Sequence, residues 1–405
     1  MTDHPNPRSK IKVLHVITTF SLGGATENTL LSVEGLRDLG YDVSILTGPP
    51  NTSEGSLFER ARRNGIRVVV IRDLQRSIHP FHDFLAFLKI WSYLRHDDYA
   101  IVHTHSSKAG FLGRLAARLA GVPVVTHTIH GLPFHEYQNP VLRSVFVLAE
   151  KIGMTLSNKV VAVTHTIVDK AIAAGVGKRE KFVVVRSGFE MESFAVTPEQ
   201  TAVVRSSLGL SRDDLVVGKI ARFSKLKGHN YLLEAIPRVI EQVPNAKFLL
   251  VGSGELEAMV RTQVQQRGLS PYIVFAGLVE QEHIPAMIST MDVVVHTSLL
   301  EGLARVLPQA LSMRKPVISF DIDGAHEVIA SGTTGYLVSP GDSQQLAEKI
   351  IAVLKDVGRA RKMGEAGYNM VAHDWTKRGM VEGIDRVYFA MLCESPKSER
   401  FRWAD

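Results

Sequence analysis

Val216-Val217-Gly218-Lys219-Ile220 is followed by Ala221-Arg222-Phe223-Ser224-Lys225-Leu226-Lys227-Gly228-His229, and then by Leu232, Ile236, Val239, Ile240 and Val243. The first five residues form the short, β-rich apolar run expected of a buried strand. The last five recur at the three-and-four spacing of one helix face, which marks them as core. Strand, loop and helix make one βα unit, and the same alternation runs along almost the whole chain. In the first half it predicts strands over 12–17, 43–46, 68–71, 101–104, 122–126, 160–163 and 183–185. In the second half it predicts them over 216–220, 248–251, 273–276, 293–296, 317–320 and 335–338. Two parallel sheets in an α/β chain are implied. The joint falls near Ser187 to Thr197, where a Ser-Gly turn and a polar stretch interrupt the pattern, and each half then has the length of a doubly wound domain.

Composition bounds the function classes. The chain has 405 residues, 45% of them hydrophobic and 22% charged, which excludes a small stapled scaffold and a disordered chain. One cysteine, Cys393, makes neither an internal disulfide nor a thiolate cluster, so a reducing, cytoplasmic compartment is expected. No apolar run reaches the roughly 18 residues that span a bilayer, and Met1 to Lys10 lacks the apolar core of a signal peptide, so neither export nor a membrane span is expected. The net charge is +6, and residues 1–190 hold the basic surplus. Within them Arg60, Arg62, Arg63, Arg67, Arg72 and Arg76 form a cluster that suits either an anionic membrane surface or a plain solvated helix face. No recognition motif accompanies it, so nucleic acid is not an expected partner. Phe81, Phe84, Phe87, Leu88, Trp91 and Leu94 read as a packed helix of the first domain rather than an interfacial one.

Four stretches carry residues suited to chemistry. Gly23-Gly24, after the first strand and before a helix, lets backbone approach a ligand and offers N–H groups to an anion, although the stretch is neither GxGxxG nor a P-loop. Arg222, Lys225 and Lys227 place cations at the carboxyl end of a strand and the start of a helix, which suits a phosphate or diphosphate. Glu301-Gly302-Leu303-Ala304 opens a further helix that carries Gln309. A carboxylate and an amide at that spacing are able to hold two parts of a nucleotide sugar, with the N–H groups of Leu303 and Ala304 toward the diphosphate. The last stretch is rich in histidine: His103, His105, His127, His130 and His135. Of these His130, at a strand end before Gly131, is the site candidate, and the others read as hydrogen-bonded histidines of cleft or core. Asp321-Ile322-Asp323 imitates a DxD metal motif but has no second acidic or histidine cluster beside it, so a loop role is expected and no metal ligands are assigned.

Taken in order, Gly23-Gly24, Arg222 with Lys227-Gly228, and Glu301-Gly302 with Gln309 and Lys315-Pro316-Val317-Ile318 resemble the retaining nucleotide-sugar glycosyltransferases of family four. His103-Thr104-His105-Ser106-Ser107-Lys108-Ala109-Gly110 and Thr128-Ile129-His130-Gly131 are similar to its capsular and exopolysaccharide members, and the likeness runs from Val13 to about Leu392. The resemblance implies a GT-B fold, two facing Rossmann-like domains with an inter-domain cleft. Residues 11–190 would form the acceptor-side domain, 191–376 the nucleotide-sugar domain and 377–392 a helix crossing back to the first, with a disordered tail over 1–10 and a polar tail over 393–405. It also implies roles. Arg222 and Lys227 would hold the donor diphosphate, Glu301 the sugar hydroxyls and His130 the sugar. Gly24 would let the first domain close over the phosphates, while Gly302, Leu303, Ala304 and Gln309 would line the donor. One departure stands out: the family usually carries Glu where this chain has Gln309, which suits ribose contact but supplies no charge. Ser187-Gly188 likewise stands where many relatives have Asn-Gly.

The implied reaction is transfer of a sugar from a nucleoside diphosphate, a UDP-sugar by preference, to a saccharide or polyprenyl-linked acceptor with retention, in cell-surface polysaccharide synthesis. The cations would take the role a divalent metal plays in other transferases, so neither cofactor nor metal is expected. No carboxylate nucleophile stands out, which favours same-face attack with the leaving phosphate taking the acceptor proton. The expected location is cytoplasmic, with room for a peripheral seat on an anionic membrane. A sugar-nucleotide epimerase on the same fold and a non-catalytic sugar-binding protein are the alternatives.

Overall fold

A computed structural model describes Arg8, residues 11–50 and residues 57–395. They fall into two compact units, one holding the described residues through Phe189 together with those from Lys377 onward, the other Glu190–Thr376.

The first unit is a seven-stranded sheet: β1 Lys12–Ile17, β2 Asp42–Thr47, β3 Arg67–Val70, β4 Ile101–His105, β5 Val124–Ile129, β6 Lys159–Ala162 and β7 Phe182–Val184, in the order β3-β2-β1-β4-β5-β6-β7. All pairs are parallel, with Lys12 opposite Asp42 and His15 opposite His103. Helices cover both faces, which is why these strands read as nearly unbroken apolar runs. Alternate residues go to opposite layers. Val13 and Ile17 pack with Leu30, Leu31 and Val33 of the helix Gly24–Asp38 and with Ile384, Val387 and Tyr388 of the helix Lys377–Glu394. Leu14 and Val16 pack with Ile90 and Leu94 of the helix Pro80–Arg95 and with Ala116 and Ala117 of the helix Ser107–Leu119.

The second unit is a six-stranded parallel sheet: β8 Leu215–Ile220, β9 Ala246–Val251, β10 Ile273–Gly277, β11 Val293–His296, β12 Val317–Phe320 and β13 Gly335–Val338, in the order β10-β9-β8-β11-β12-β13. Leu232, Ile236 and Val239 of the helix His229–Gln242 are buried against it, and Ile240 partly so. In each sheet the chain works outward from the centre in one direction and then returns to build the other side. The reversal lies between β1 and β4 in the first unit and between β8 and β11 in the second. Open sheets of this kind bind ligands at the carboxyl ends of the strands flanking such a reversal.

The thirteen strands match the expected ones, with differences at their ends. β5 begins after Pro123, which has no N–H for the ladder, and runs on through His127 to Ile129 because those residues are also buried between neighbouring strands. Most of the two expected tails lies outside the described residues. Arg8 is an exception, since its guanidinium makes a bidentate pair with Asp385 at 3.1 and 3.0 Å. Cys393 and Glu394 correct the second tail: they close the last helix, whose buried Met391 and Leu392 keep that turn packed.

The aromatic segment is the helix Pro80–Arg95, with Ala86, Ile90 and Leu94 buried and Phe81 and Phe84 exposed near its start. Three arginines of the cluster are ion-paired. Arg60 forks onto Glu34 at 3.0 and 2.9 Å, Arg62 meets Glu59 at 3.1 Å, and Arg67 lies 3.9 Å from Asp97. Among the described residues no helix is long and apolar enough to cross a membrane.

Candidate active site

The carboxyl ends of β8 and β11 carry the two loops singled out from sequence, and the fold ties them together. The Leu299 N–H donates to the Leu226 carbonyl at 2.7 Å, and the Thr297 hydroxyl donates to the Gly228 carbonyl at 2.7 Å. Gly228 has φ 62°, and a Cβ there would stand 1.9 Å from the Thr297 carbonyl oxygen. Only glycine fits both the left-handed backbone and the close approach, which accounts for the Lys-Gly pair ahead of the helix. Beneath the loop, Lys219 is fully buried in β8 and donates to the Lys227 carbonyl at 2.8 Å and to Thr297 Oγ1 at 2.7 Å. Burial, helped by the nearby Lys227 charge, brings the Lys219 ammonium down to about 7. The ring of His229 stacks on Phe223 at 4.3 Å and closes the loop from its other end.

Lys227 forms an ion pair with Glu301 across 74 residues of sequence. The same carboxylate oxygen accepts from the Ser298 hydroxyl at 3.0 Å and lies 3.3 Å from His296 Nε2. Burial would push the Glu301 carboxyl up, but the Lys227 ammonium and His296 outweigh it and hold the group well below the usual carboxylate range. Burial in turn lowers His296, so its Nε2–H is the proton facing the carboxylate. The Glu301 backbone N–H donates to Asp323 Oδ2 at 2.6 Å. Asp323 of the DxD-like stretch therefore positions the glutamate, a structural use of that carboxylate. Glu301 is thus an ionised acceptor fixed from four directions, with a side-chain exposure of 21% left for a ligand.

The other candidates are distributed around this pair. Arg222 is exposed on the same loop as Lys227. Gly302, Leu303 and Ala304 are half-buried, but they precede the helix, which spans Val306–Ser312. The expectation that Leu303 and Ala304 supply helix N–H groups is corrected accordingly. Pro308 lies in the first turn of that helix, where its missing N–H costs no helix hydrogen bond. Gln309 is buried inside that helix.

In the first unit, Gly24 is exposed and opens the helix Gly24–Asp38 at the end of β1, beside the β1/β4 reversal. His130 follows β5, half-buried, with Nε2 3.0 Å from His105 Nδ1. His103, His105 and His127 are buried and hydrogen-bonded as expected, whereas His135 corrects the expectation, since its Nδ1 is buried with no hydrogen-bond partner among the described residues. The Gly188 N–H of the Ser187-Gly188 turn points to Met380 Sδ at 3.2 Å.

Sequence reasoning missed Lys219, His296, Ser298 and Asp323 as parts of the site. A signal existed for Lys219, the one charge inside a strand otherwise reading Leu215, Val216, Val217, Gly218 and Ile220. A buried lysine needs acceptors, and those lie at the next loop.

Two family descriptions match the chain consecutively: "Glycosyl transferase 4-like domain" over residues 23–188 and "Glycosyl transferases group 1" over residues 201–370. Among curated proteins the chain is similar to the UDP-Gal:alpha-D-GlcNAc-diphosphoundecaprenol alpha-1,3-galactosyltransferase of Escherichia coli. The two are 28% identical over 351 residues, covering 86% of this chain and 89% of the relative. It is also 26% identical over 373 residues to the capsular polysaccharide biosynthesis glycosyltransferase CapM of Staphylococcus aureus, covering 90% and 93%. Among solved structures, Anabaena Alr3699/HepE in complex with UDP-glucose superposes with a TM-score of 0.80 at 23% identity, covering 94% of this chain and 100% of the other. The sucrose-phosphate synthase of Thermosynechococcus elongatus does so with a TM-score of 0.81 at 21% identity, covering 95% and 100%.

Proposed function

Because this chain belongs to the retaining nucleotide-sugar glycosyltransferases of family four, with the GT-B pair of Rossmann-like domains, we propose that it transfers a sugar from a UDP-sugar to a lipid-linked saccharide during synthesis of a cell-surface polysaccharide. The observation that carries the assignment of roles is the Lys227–Glu301 pair at the β8/β11 reversal, with Arg222 on the same loop.

Transfer builds positive charge at the anomeric carbon and negative charge on the departing diphosphate, so the enzyme gains most by stabilising the leaving group. Lys227 and Arg222 face that charge. One N–H of Lys227 is engaged by Glu301, which aims the ammonium and leaves two donors for phosphate oxygens. The ionised Glu301 accepts hydrogen bonds from sugar hydroxyls. His130 contacts the sugar, and Gly24 lets backbone come close to the phosphates. Gly302, Leu303 and Ala304 line the donor, with Gln309 on the ribose side.

The acceptor hydroxyl attacks the anomeric carbon from the face the diphosphate leaves. The new C–O bond forms as the old one breaks, and the hydroxyl proton passes to the departing β-phosphate. Fixed cations supply the charge a metal would supply elsewhere, so the reaction proceeds without a divalent ion or other cofactor.

Location follows from the acceptor. A lipid-linked substrate places the enzyme at the cytoplasmic face of a membrane, and the first unit has a surface suited to it. The helix Pro140–Thr155 exposes Val141, Leu142, Val145, Leu148 and Ile152 beside the exposed cations Arg143 and Lys151. An apolar stripe flanked by cations fits an anionic bilayer better than a partly ion-paired arginine cluster does.

The test presents a panel of nucleotide sugars with a polyprenyl-diphosphate saccharide in anionic vesicles. UDP release that depends on acceptor, with the protein sedimenting with the vesicles, is the expected result. Conversion of the donor sugar without acceptor would mark an epimerase instead.

A further inference from the structure

Four histidines and a tyrosine of the first unit form a continuous row of hydrogen bonds. His15 on β1, His103 and His105 on β4 and Thr128 on β5 point to the sheet face covered by the helix Lys377–Glu394, which brings Tyr388 among them. All five are buried. Starting from Thr128 Oγ1, the contacts run to His103 Nε2 at 2.7 Å, from His103 Nδ1 to the Tyr388 hydroxyl at 2.6 Å, and from that hydroxyl to His15 Nε2 at 3.2 Å. They continue from His15 Nδ1 to His105 Nε2 at 2.9 Å and from His105 Nδ1 to His130 Nε2 at 3.0 Å. The surrounding layer is apolar, with Val13, Ile17, Ile101, Val124, Ile384 and Val387 in the same core.

Each link has room for one proton. Burial pulls His15 down to about 3 and His103 and His105 well below the ordinary histidine value, so the rings are neutral, each with one N–H and one lone pair. Only two arrangements satisfy every link and keep the Tyr388 O–H within the row. With the donors running from Thr128 toward His130, each of the four histidines carries its proton on Nδ1. With the donors reversed, each carries it on Nε2. A mixture either turns two N–H groups or two lone pairs toward each other or, where both neighbouring rings donate to the Tyr388 oxygen, leaves the phenolic O–H without a place in the row, inside a core with no water to turn to.

A metal ion is the other use such nitrogens suggest, and the ring geometry opposes it. His15 Nδ1 faces His105 Nε2 at 2.9 Å, and the two nitrogens of His103 face the Thr128 and Tyr388 hydroxyls at 2.7 and 2.6 Å, so these ring nitrogens are aimed at one another or at hydroxyl groups and not at a common point.

We propose that His103, Tyr388, His15 and His105 are positioning residues of the glycosyl transfer, whose directional row of hydrogen bonds sets the tautomer of His130. The row decides whether Nδ1 of His130 carries a hydrogen or a lone pair, and thus whether the ring donates to a sugar oxygen or accepts from a sugar hydroxyl. The catalytic consequence rests on the placement of His130 at the donor sugar; the tautomer coupling does not.

The experiment uses the full chain with 15N-labelled histidine and long-range proton–nitrogen correlation spectra. In the wild type, His15, His103, His105 and His130 are expected in one and the same tautomer. Tyr388→Phe removes the link between His103 and His15, and Thr128→Val removes the terminal hydroxyl. Both are expected to give His130 a mixed or inverted tautomer, with kcat reduced about tenfold and the donor KM changed less than about twofold. Thr128→Ser restores both readouts. A lost side chain that merely loosened the core would not invert a ring tautomer at the far end of the row. Different tautomers among the four wild-type rings, or an unaltered His130 in both variants, would overturn the proposal. A changed tautomer with kcat intact would instead overturn the place of His130 at the sugar.

Discussion

Lys227→Ala and Arg222→Ala each lower kcat by about a hundredfold or more while the fold stays intact. The magnitude follows from the place proposed for these cations at the departing diphosphate. A fixed donor aimed at charge that develops in the transition state is worth about two to three orders of magnitude when removed. The fold is expected to tolerate the loss because the loop has anchors other than these two side chains. It is held through backbone carbonyls, by Lys219 on the Lys227 carbonyl and Thr297 on the Gly228 carbonyl, and by the left-handed Gly228. Glu301 keeps the Ser298 and His296 contacts when the ammonium is gone. Steady-state rates alongside thermal melts check this, and wild-type turnover in both variants would dismiss the assignment.

Glu301→Gln has a different signature. Glutamine keeps the length and one acceptor oxygen but loses the charge that pairs with Lys227. Selection among donor sugars should suffer most, with kcat/KM for the preferred donor down by at least about tenfold and affinity for the free nucleotide changed less than about threefold. Comparable loss of both would contradict a sugar-binding role. The pair also sets an acid limit. Because the Glu301 carboxyl is held below its unfolded value, its stabilisation is complete above the ordinary carboxylate range and fades as pH falls through its folded value.

Strand positions were legible because parallel strands buried on both faces are nearly continuous apolar runs, and that signal does not depend on tertiary detail. Their ends were less so: Pro123 trims β5 at one side, while burial of His127 and Thr128 extends it at the other. The loop cations and Glu301 were visible as residues at strand ends, but their pairing was not, since it joins positions 74 residues apart through the β8/β11 neighbourhood. Lys219 hid inside a strand pattern whose other members are core. The alternation of His103 and His105 put two histidines on one sheet face, yet nothing in the local sequence could name Tyr388, 285 residues away, as the hydroxyl between His103 and His15. Leu303 and Ala304 misled because a Glu-Gly start looks like a helix cap, while the helix begins only at Val306, with Pro308 in its first turn.

The central claim is that fixed cations of the second unit, without an ion, hold the departing diphosphate. Calorimetric titration of UDP into the wild type and into the Arg222→Ala/Lys227→Ala double variant, both in excess chelator, tests it most directly. Binding by the wild type unchanged by chelator, and its loss in the double variant, is the predicted result. Binding that requires a divalent ion, or that survives the double substitution, would contradict it.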